Sequence, residues 1–160
     1  MTNQKKKISS ILFVCTGNSC RSVMAEALMR KKLYELGSDR AEVGSAGVAV
    51  FGSVPPTGET IAVMREEGVD VSGSRTKKVT RDMIRNADLI LVMEPAHKDK
   101  ILNLDPQASG KTFLLREYKN PSKVMPGGFG VHDPIGMPVE GYRKTRDEIK
   151  KEIERIAGEI

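Results

Sequence analysis

The sequence predicts an α/β fold in one domain, a parallel sheet covered by helices on both faces. Short apolar runs alternate with stretches of helical period from one end of the chain to the other, which is the pattern such a sheet requires. The 160 residues fit one domain, and the 39% that are hydrophobic supply a core able to remove roughly two thirds of the unfolded chain's surface from water. No internal repeat, low-complexity tract or linker divides the chain.

Taken in order, Ile11 to Val14 reads as a short buried strand. A glycine-containing loop follows, and Ala25, Leu28, Met29, Leu33 and Leu36 then recur at helical spacing until Gly37 supplies a stop. Ala41 to Ala46 is a weaker strand. Pro55-Pro56 signals a helix over Glu59 to Glu67, with Ile61, Val63 and Met64 as its apolar members and Gly68 just past its end. Arg81 to Asn86 is a short helix leading into the strand Leu89 to Met93. Pro95 opens a helix through Leu102, and Thr112 to Leu115 is the last strand. Four prolines and four glycines fall among the nineteen residues from Asn120 to Pro138, so a long irregular loop is expected, and such a loop is usually functional or disordered. The final helix carries Tyr142, Ile149, Ile153, Ile156 and Ile160 on one stripe, with Asp147 four residues before Lys151 on its exposed side.

Composition closes off several function classes. The longest apolar run, Leu89 to Met93, is far shorter than the ~20 residues of a membrane helix, and polar Met1 to Lys7 leads into no long apolar region. Neither a membrane-spanning nor a secreted protein is expected, and residues 1 to 7 read as a flexible basic tail ahead of the domain. Lys plus Arg number 26 against 21 Asp plus Glu, a net charge of +5, with clusters at Lys5 to Lys7, Arg30 to Lys32 and Lys77-Lys78. Acidic residues are interspersed, and four Phe and three Tyr offer little for base stacking, so nucleic acid and membranes are not expected partners. The only cysteines, Cys15 and Cys20, cannot build a disulfide framework or a four-cysteine zinc site. His97 and His132 lack metal-ligand company, so no metal or other cofactor is expected, and the compartment is the reducing cytoplasm.

The chemistry concentrates in Cys15-Thr16-Gly17-Asn18-Ser19-Cys20-Arg21-Ser22, between a predicted strand and a predicted helix. Ligands of open α/β sheets bind beyond the carboxyl ends of the strands, where a helix N-terminus offers unpaired N–H groups and a positive dipole end. Gly17 and Asn18 tolerate left-handed backbone angles, so the loop can curl until its amides form an anion nest. Arg21 adds a planar fork matched to phosphate oxygens. Cys15 lies at the rim of the cradle, where the dipole and Arg21 are expected to depress its pKa, and Ser22 is placed to donate a hydroxyl hydrogen bond to the thiolate. A phosphoryl-transfer site with a covalent cysteine intermediate follows.

The run Val14-Cys15-Thr16-Gly17-Asn18-Ser19-Cys20-Arg21-Ser22, followed by Met24-Ala25-Glu26-Ala27, resembles the signature of the low-molecular-weight protein tyrosine phosphatase family. Ser45-Ala46-Gly47, the strand ending at Met93 and the pair Asp133-Pro134 match in the family's order, so the resemblance spans residues 8 to 158. It implies an open four-stranded parallel sheet with flanking helices, Cys15 as nucleophile, Arg21 as phosphate binder, Asn18 and Ser22 as organisers of the loop, and Asp133 as general acid. It also implies phosphorylated protein substrates, a monomer, and a phosphate or other oxyanion held by Thr16, Gly17, Asn18, Ser19, Cys20 and Ser22. The acid has a reason of its own. Cysteinyl-phosphate formation expels an oxygen or nitrogen leaving group that needs a proton, and water must later lose one, which a single carboxyl can manage. Pro134 restricts the Asp133 backbone away from helix, although Asp-Pro also starts ordinary turns.

Three positions depart from the tyrosine-directed members. Val23 stands where proline commonly follows Arg-Ser. Ser74 replaces a histidine that supports the loop asparagine, so that support is lost or comes from the serine hydroxyl. Ile135-Gly136 replaces two tyrosines. With Ser19 in place of a bulky aliphatic, this pattern is similar to the protein arginine phosphatase branch, which has threonine there, and Ser19 becomes the specificity residue. Cys20 is either a small buried hydrophobe or, as in family members with the same pair, a redox partner that traps oxidised Cys15 as a disulfide. His132 adjoins Asp133 and either tunes it or faces water, and Tyr118, Phe51 and Phe129 are candidates for pocket walls as well as for core or loop anchors. Protein-tyrosine phosphatase is the alternative within the family. Arsenate reductase of the thioredoxin-linked type needs two later cysteines that this chain lacks, Arg21 together with Asp133 argues against a phosphocysteine carrier, and a plain anion-binding module is the noncatalytic alternative.

Overall fold

The structure, a computed structural model, describes residues 7–38 and 41–160. The expected basic tail, residues 1–7, falls outside them except for Lys7, which is exposed. Four parallel strands form one open sheet: β1 (Ser10–Cys15), β2 (Glu42–Gly47), β3 (Leu89–Val92) and β4 (Thr112–Leu114). Their spatial order is β2-β1-β3-β4, with Val14 opposite Ala46 on one side and Val92 on the other. The helices are α1 (Arg21–Glu35), α2 (Gly58–Arg65), α3 (Arg81–Asn86), α4 (Pro95–Leu104) and α5 (Val139–Ala157). A 3-10 helix over Pro106–Lys111, which the apolar periodicity does not signal, joins α4 to β4. Residues 120–138 contain no helix or strand, as the proline and glycine density requires.

Both sheet faces are covered, and the strands alternate between two cores. Ile11, Phe13 and Cys15 of β1 with Leu89 and Leu91 of β3 point toward α1 and α5, while Leu12, Val14, Ile90 and Val92 point the other way, into a cluster with Ile84 and Ile101. α1 begins four residues earlier than its apolar stripe, because its first nine residues, Arg21 to Met29, are all buried, with Arg21 and Ser22 bonded to the loop ahead of it. It ends at Gly37, whose φ of 68° lets Ser38 N donate back to Leu33 O at 2.8 Å. Gly68, with φ of 75°, closes α2 in the same manner through Val69 N and Met64 O at 3.1 Å.

α5 runs across α1 and α2, with Tyr142, Ile149, Ile153 and Ile156 buried in the larger core. The exposed pairing expected of Asp147 with Lys151 is replaced. Asp147 Oδ1 instead accepts from Arg146 Nε and NH2 at 3.0 and 2.8 Å, because the neighbouring Arg146 is anchored in place. Arg146 is 6% exposed and its NH1 donates to Val63 O at 2.9 Å and Glu66 Oε1 at 2.6 Å. Glu66 Oε2 accepts from Arg143 NH2 at 2.8 Å, so one carboxylate ties α5 to the end of α2.

Hydrogen bonds from Arg143 and then Arg146 hold Glu66 well below its ordinary 4.5, at about 2. A depressed folded-state value means that its contribution is present above the unfolded value and is lost as pH falls from about 4.5 through about 2. Glu66→Gln should therefore flatten that part of the acid destabilisation curve, read as the urea midpoint against pH. An unchanged slope in that window would show that the Glu66 bonds do not couple to folding.

Candidate active site

β1 ends at Cys15, the chain turns through residues 16–20, and Arg21 opens α1. Beside it β3 ends at Val92. The segments after β1 and β3 thus leave the sheet side by side where the strand order reverses, the place at which open α/β sheets bind ligands. Asn18 supplies the curl, with φ of 53° in the left-handed region. Gly17, expected to share that role, keeps an ordinary negative φ. The Asn18 side chain fixes the turn. Nδ2 donates to Ser22 Oγ at 2.8 Å and Ser45 Oγ at 2.9 Å, and Oδ1 accepts from Lys77 N at 3.1 Å. Support of the loop asparagine thus comes from Ser45 and the Lys77 amide, and neither reading of Ser74 describes it. The loop also packs on β2 without room to spare, since a Cβ on Gly47 would lie 2.4 Å from Thr16 O and 2.9 Å from Asn18 N.

Cys15 Sγ lies 2.9 Å from Ser22 Oγ. The serine oxygen already accepts the Asn18 N–H, which leaves its own proton to point at sulfur. Burial pushes the Cys15 thiol above its ordinary value, opposed by the Ser22 hydroxyl and amide, the Arg21 charge and the Asn18 amide. This reverses the depressed value expected from sequence. That expectation counted the cation and the helix end, but not the loss of water around a sulfur that is 3% exposed.

Arg21 is 1% exposed and makes contacts with three segments. NH1 donates to Val131 O at 2.7 Å and lies 3.3 Å from Glu94 Oε2, while NH2 lies 3.5 Å from Asp133 Oδ2 and donates to Thr16 Oγ1 at 3.4 Å. Two carboxylates therefore face one guanidinium. Asp133 does start a turn, its Oδ1 accepting from Ile135 N at 3.1 Å, and the same residue presents its other oxygen to Arg21. Its loop is fastened at the preceding residues: Val131 N donates to Met93 O at 2.8 Å, and Arg116 NH1 donates to Gly130 O at 3.2 Å.

The sequence missed two members of this cluster, Glu94 and His97. Glu94 precedes α4, and its main-chain N–H donates to His97 Nδ1 at 3.1 Å. An N–H can only donate, so Nδ1 must be the bare nitrogen and Nε2 carries the proton. That Nε2 lies 2.8 Å from Thr16 Oγ1 and donates to it. Burial first, and then the Arg21 charge, push the imidazole down to about 4 against the pull of Glu94 and Asp133, so it is neutral in the physiological range. The available signal was the spacing Glu94-Pro95-Ala96-His97 directly after a strand, which places the histidine at the third position of a proline-started helix.

Of the remaining candidates, Ser19 sits half-buried on the loop, its carbonyl accepting from Thr57 N at 3.2 Å. Cys20 is buried beside Ser19 Oγ and Thr57 Oγ1, at 3.6 and 3.7 Å, and both cysteines are free thiols. His132 is exposed. Tyr118 belongs to the core, stacked 5.1 Å from Phe113, whereas Phe51 is 92% exposed and Phe129 half-buried. Among the described residues no helix is long and apolar enough to cross a membrane.

Known proteins match the chain in both sequence and fold. A protein-arginine-phosphatase of Geobacillus stearothermophilus is 36% identical over 150 residues, covering 94% of this chain and 95% of its own. The crystal structure of a low molecular weight protein tyrosine phosphatase from T. tengcongensis superposes with a TM-score of 0.86 at 35% identity, covering 95% of this chain and 99% of its own. The YwlE arginine phosphatase, in a Cys-to-Ser mutant with a phosphorylated active-site serine, superposes with a TM-score of 0.84 at 31% identity and covers 94% of each chain. The low molecular weight phosphotyrosine protein phosphatase family matches residues 10–160. By sequence along nearly its whole length, and by fold, the chain belongs to that family.

Proposed function

We propose that the chain is a protein-arginine phosphatase working through a cysteinyl-phosphate, in the cytoplasm. The observation that carries the chemistry is the Arg21 guanidinium standing between the Cys15 loop and Asp133, with both within reach of one bound phosphoryl group. Arg21 and the loop amides from Thr16 to Ser22 hold that group in line with Cys15 Sγ. Burial keeps a proton on the resting thiol. One proton serves both halves of the first step, passing from Cys15 by way of a phosphoryl oxygen to the leaving group side, where Asp133 delivers it to the departing nitrogen as the S–P bond forms and the P–N bond breaks. Water then attacks phosphorus, Asp133 takes its proton, and the S–P bond breaks to release phosphate and the sulfur anion, which Ser22 stabilises until the proton held by Asp133 returns to it and restores the resting thiol. The phosphorylated serine in the related arginine phosphatase supports a covalent intermediate at the equivalent position.

The choice of phosphoarginine rests on the pocket. Ser19 is small and polar, and Ile135-Gly136 supplies no aromatic wall after the acid. A phosphotyrosine ring would find little to stack on, whereas a guanidinium leaving group meets the Asp133 carboxylate. Cys20, five residues from the nucleophile in the same loop, is the redox partner in this reading. A cytoplasmic setting is consistent with two free thiols in a site that requires one of them reduced.

Cys15→Ser should abolish turnover while leaving inorganic phosphate bound within a few-fold of wild type, by calorimetry, and residual turnover would remove the covalent step. Asp133→Asn should cost roughly 10² to 10⁴ in kcat/KM on phosphoarginine, and less for aryl phosphates whose leaving groups are acidic. An equal loss across leaving groups of widely different basicity would take the acid role away from Asp133. Ser19→Ile should shift the phosphoarginine to phosphotyrosine ratio of kcat/KM toward tyrosine by about 1 to 3 kcal/mol, roughly tenfold to two hundredfold. A wild type that prefers phosphotyrosine, or an unmoved ratio in the variant, would overturn the arginine reading.

A further inference from the structure

The residue after the nucleophile carries a hydroxyl whose bonding is fixed from outside the loop. Thr16 Oγ1 has two lone pairs and one proton. His97 Nε2–H occupies one lone pair at 2.8 Å, and its donor role is settled because Glu94 N–H holds Nδ1. Arg21 NH2 reaches the other at 3.4 Å. With both acceptor sites taken, the Thr16 proton cannot be spent on either neighbour. The side chain is exposed at the lip of the cradle, next to the guanidinium that grips the anion. Its proton is therefore displayed outward from the His97–Arg21 pair, toward the space a bound phosphoryl oxygen fills.

We propose that His97 is a positioning residue, which through its Nε2–H makes the Thr16 hydroxyl an obligate hydrogen-bond donor to the bound phosphoryl group and holds the Arg21 fork at that group's edge. The imidazole never touches the substrate. Its own place is set by α4: it is 2% exposed, on the first turn of a helix opened by Pro95, and the charged groups that face it are Arg21, Glu94 and Asp133. A neutral donor suits this setting. A cationic one would repel Arg21 at short range and would put a proton on Nδ1 against the Glu94 N–H. The effect is indifferent to whether the phosphorylated residue is arginine or tyrosine, since it acts on the phosphoryl oxygens. It rests only on the phosphate-binding reading of the loop.

Two isosteric replacements separate the two ends of the ring. His97→Asn keeps an acceptor for Glu94 N–H but cannot reach Thr16, and His97→Gln carries an amide N–H to the position of Nε2. Inorganic phosphate affinity by calorimetry and single-turnover rates with p-nitrophenyl phosphate are the readouts. His97→Asn should weaken phosphate binding about 3- to 30-fold and slow cysteinyl-phosphate formation, and His97→Gln should recover a large part of both losses. Thr16→Val, on the exposed lip and remote from the core, should reproduce the loss, and Thr16→Val/His97→Asn should be no worse than either single variant. Nitrogen-15 NMR of the folded wild type should show the Nε2–H tautomer. Equal losses in the Asn and Gln variants, additive effects in the double variant, or full phosphate affinity in Thr16→Val would overturn the proposal. Failure of the wild type to bind phosphate at all would instead overturn the reading of the loop on which it rests.

Discussion

Everything at the carboxyl edge of the sheet depends on finding partners for one buried cation. A guanidinium that is 1% exposed has lost its hydration, and an unpaired charge in that position would cost several kcal/mol. Arg21 recovers this through the Val131 carbonyl, Glu94, Asp133 and Thr16, which come from the segment before α4, the long irregular loop and the nucleophile's own turn. The same contacts that solvate the cation bring those three segments together. Asp133 is thereby brought beside the Cys15 loop by Arg21, whose NH1 holds the Val131 carbonyl, 110 positions later in the chain and two residues before Asp133.

The electrostatic balance at the site follows from the same count. Two carboxylates beside one guanidinium leave little uncompensated positive charge for the Cys15 sulfur, and the sulfur itself is sealed from water. An arriving oxyanion must take guanidinium N–H groups from Glu94 and Asp133.

How much of this could be read from the sequence differs by element. The parallel sheet, the buried strand before the loop and the stops at Gly37 and Gly68 were legible because apolar period and glycine placement are local properties of the chain. The loop was legible because eight consecutive residues carry most of its chemistry. Asp133 was singled out through the resemblance and its proline, and nothing in Asp-Pro itself says that it will lie 3.5 Å from Arg21. Glu94 and His97 escaped for the same reason in stronger form. Their roles arise only when β3 lies next to β1, an adjacency that neither segment encodes alone. The support of Asn18 by Ser45 and the Lys77 amide is likewise a product of β2 and the 47–78 bridge, and reading Ser74 by correspondence pointed to the wrong neighbour. The Cys15 titration went astray because sequence shows charges and hides burial.

The left-handed turn at Asn18 also bears on how the chain acquires its competence. A non-glycine residue with φ of 53° is disfavoured on its own, and its three side-chain bonds reach residues 4, 27 and 59 positions away. The nearest of these can form as soon as α1 begins, whereas the others require β2 and the segment at Lys77 to be docked. The fixed form of the loop is therefore complete only once the neighbouring layers are docked against it. A partly folded chain, even one with β1 and α1 in place, presents its cysteine on a loop with no fixed cradle, so turnover reports completion of the tertiary structure where a helix signal would not.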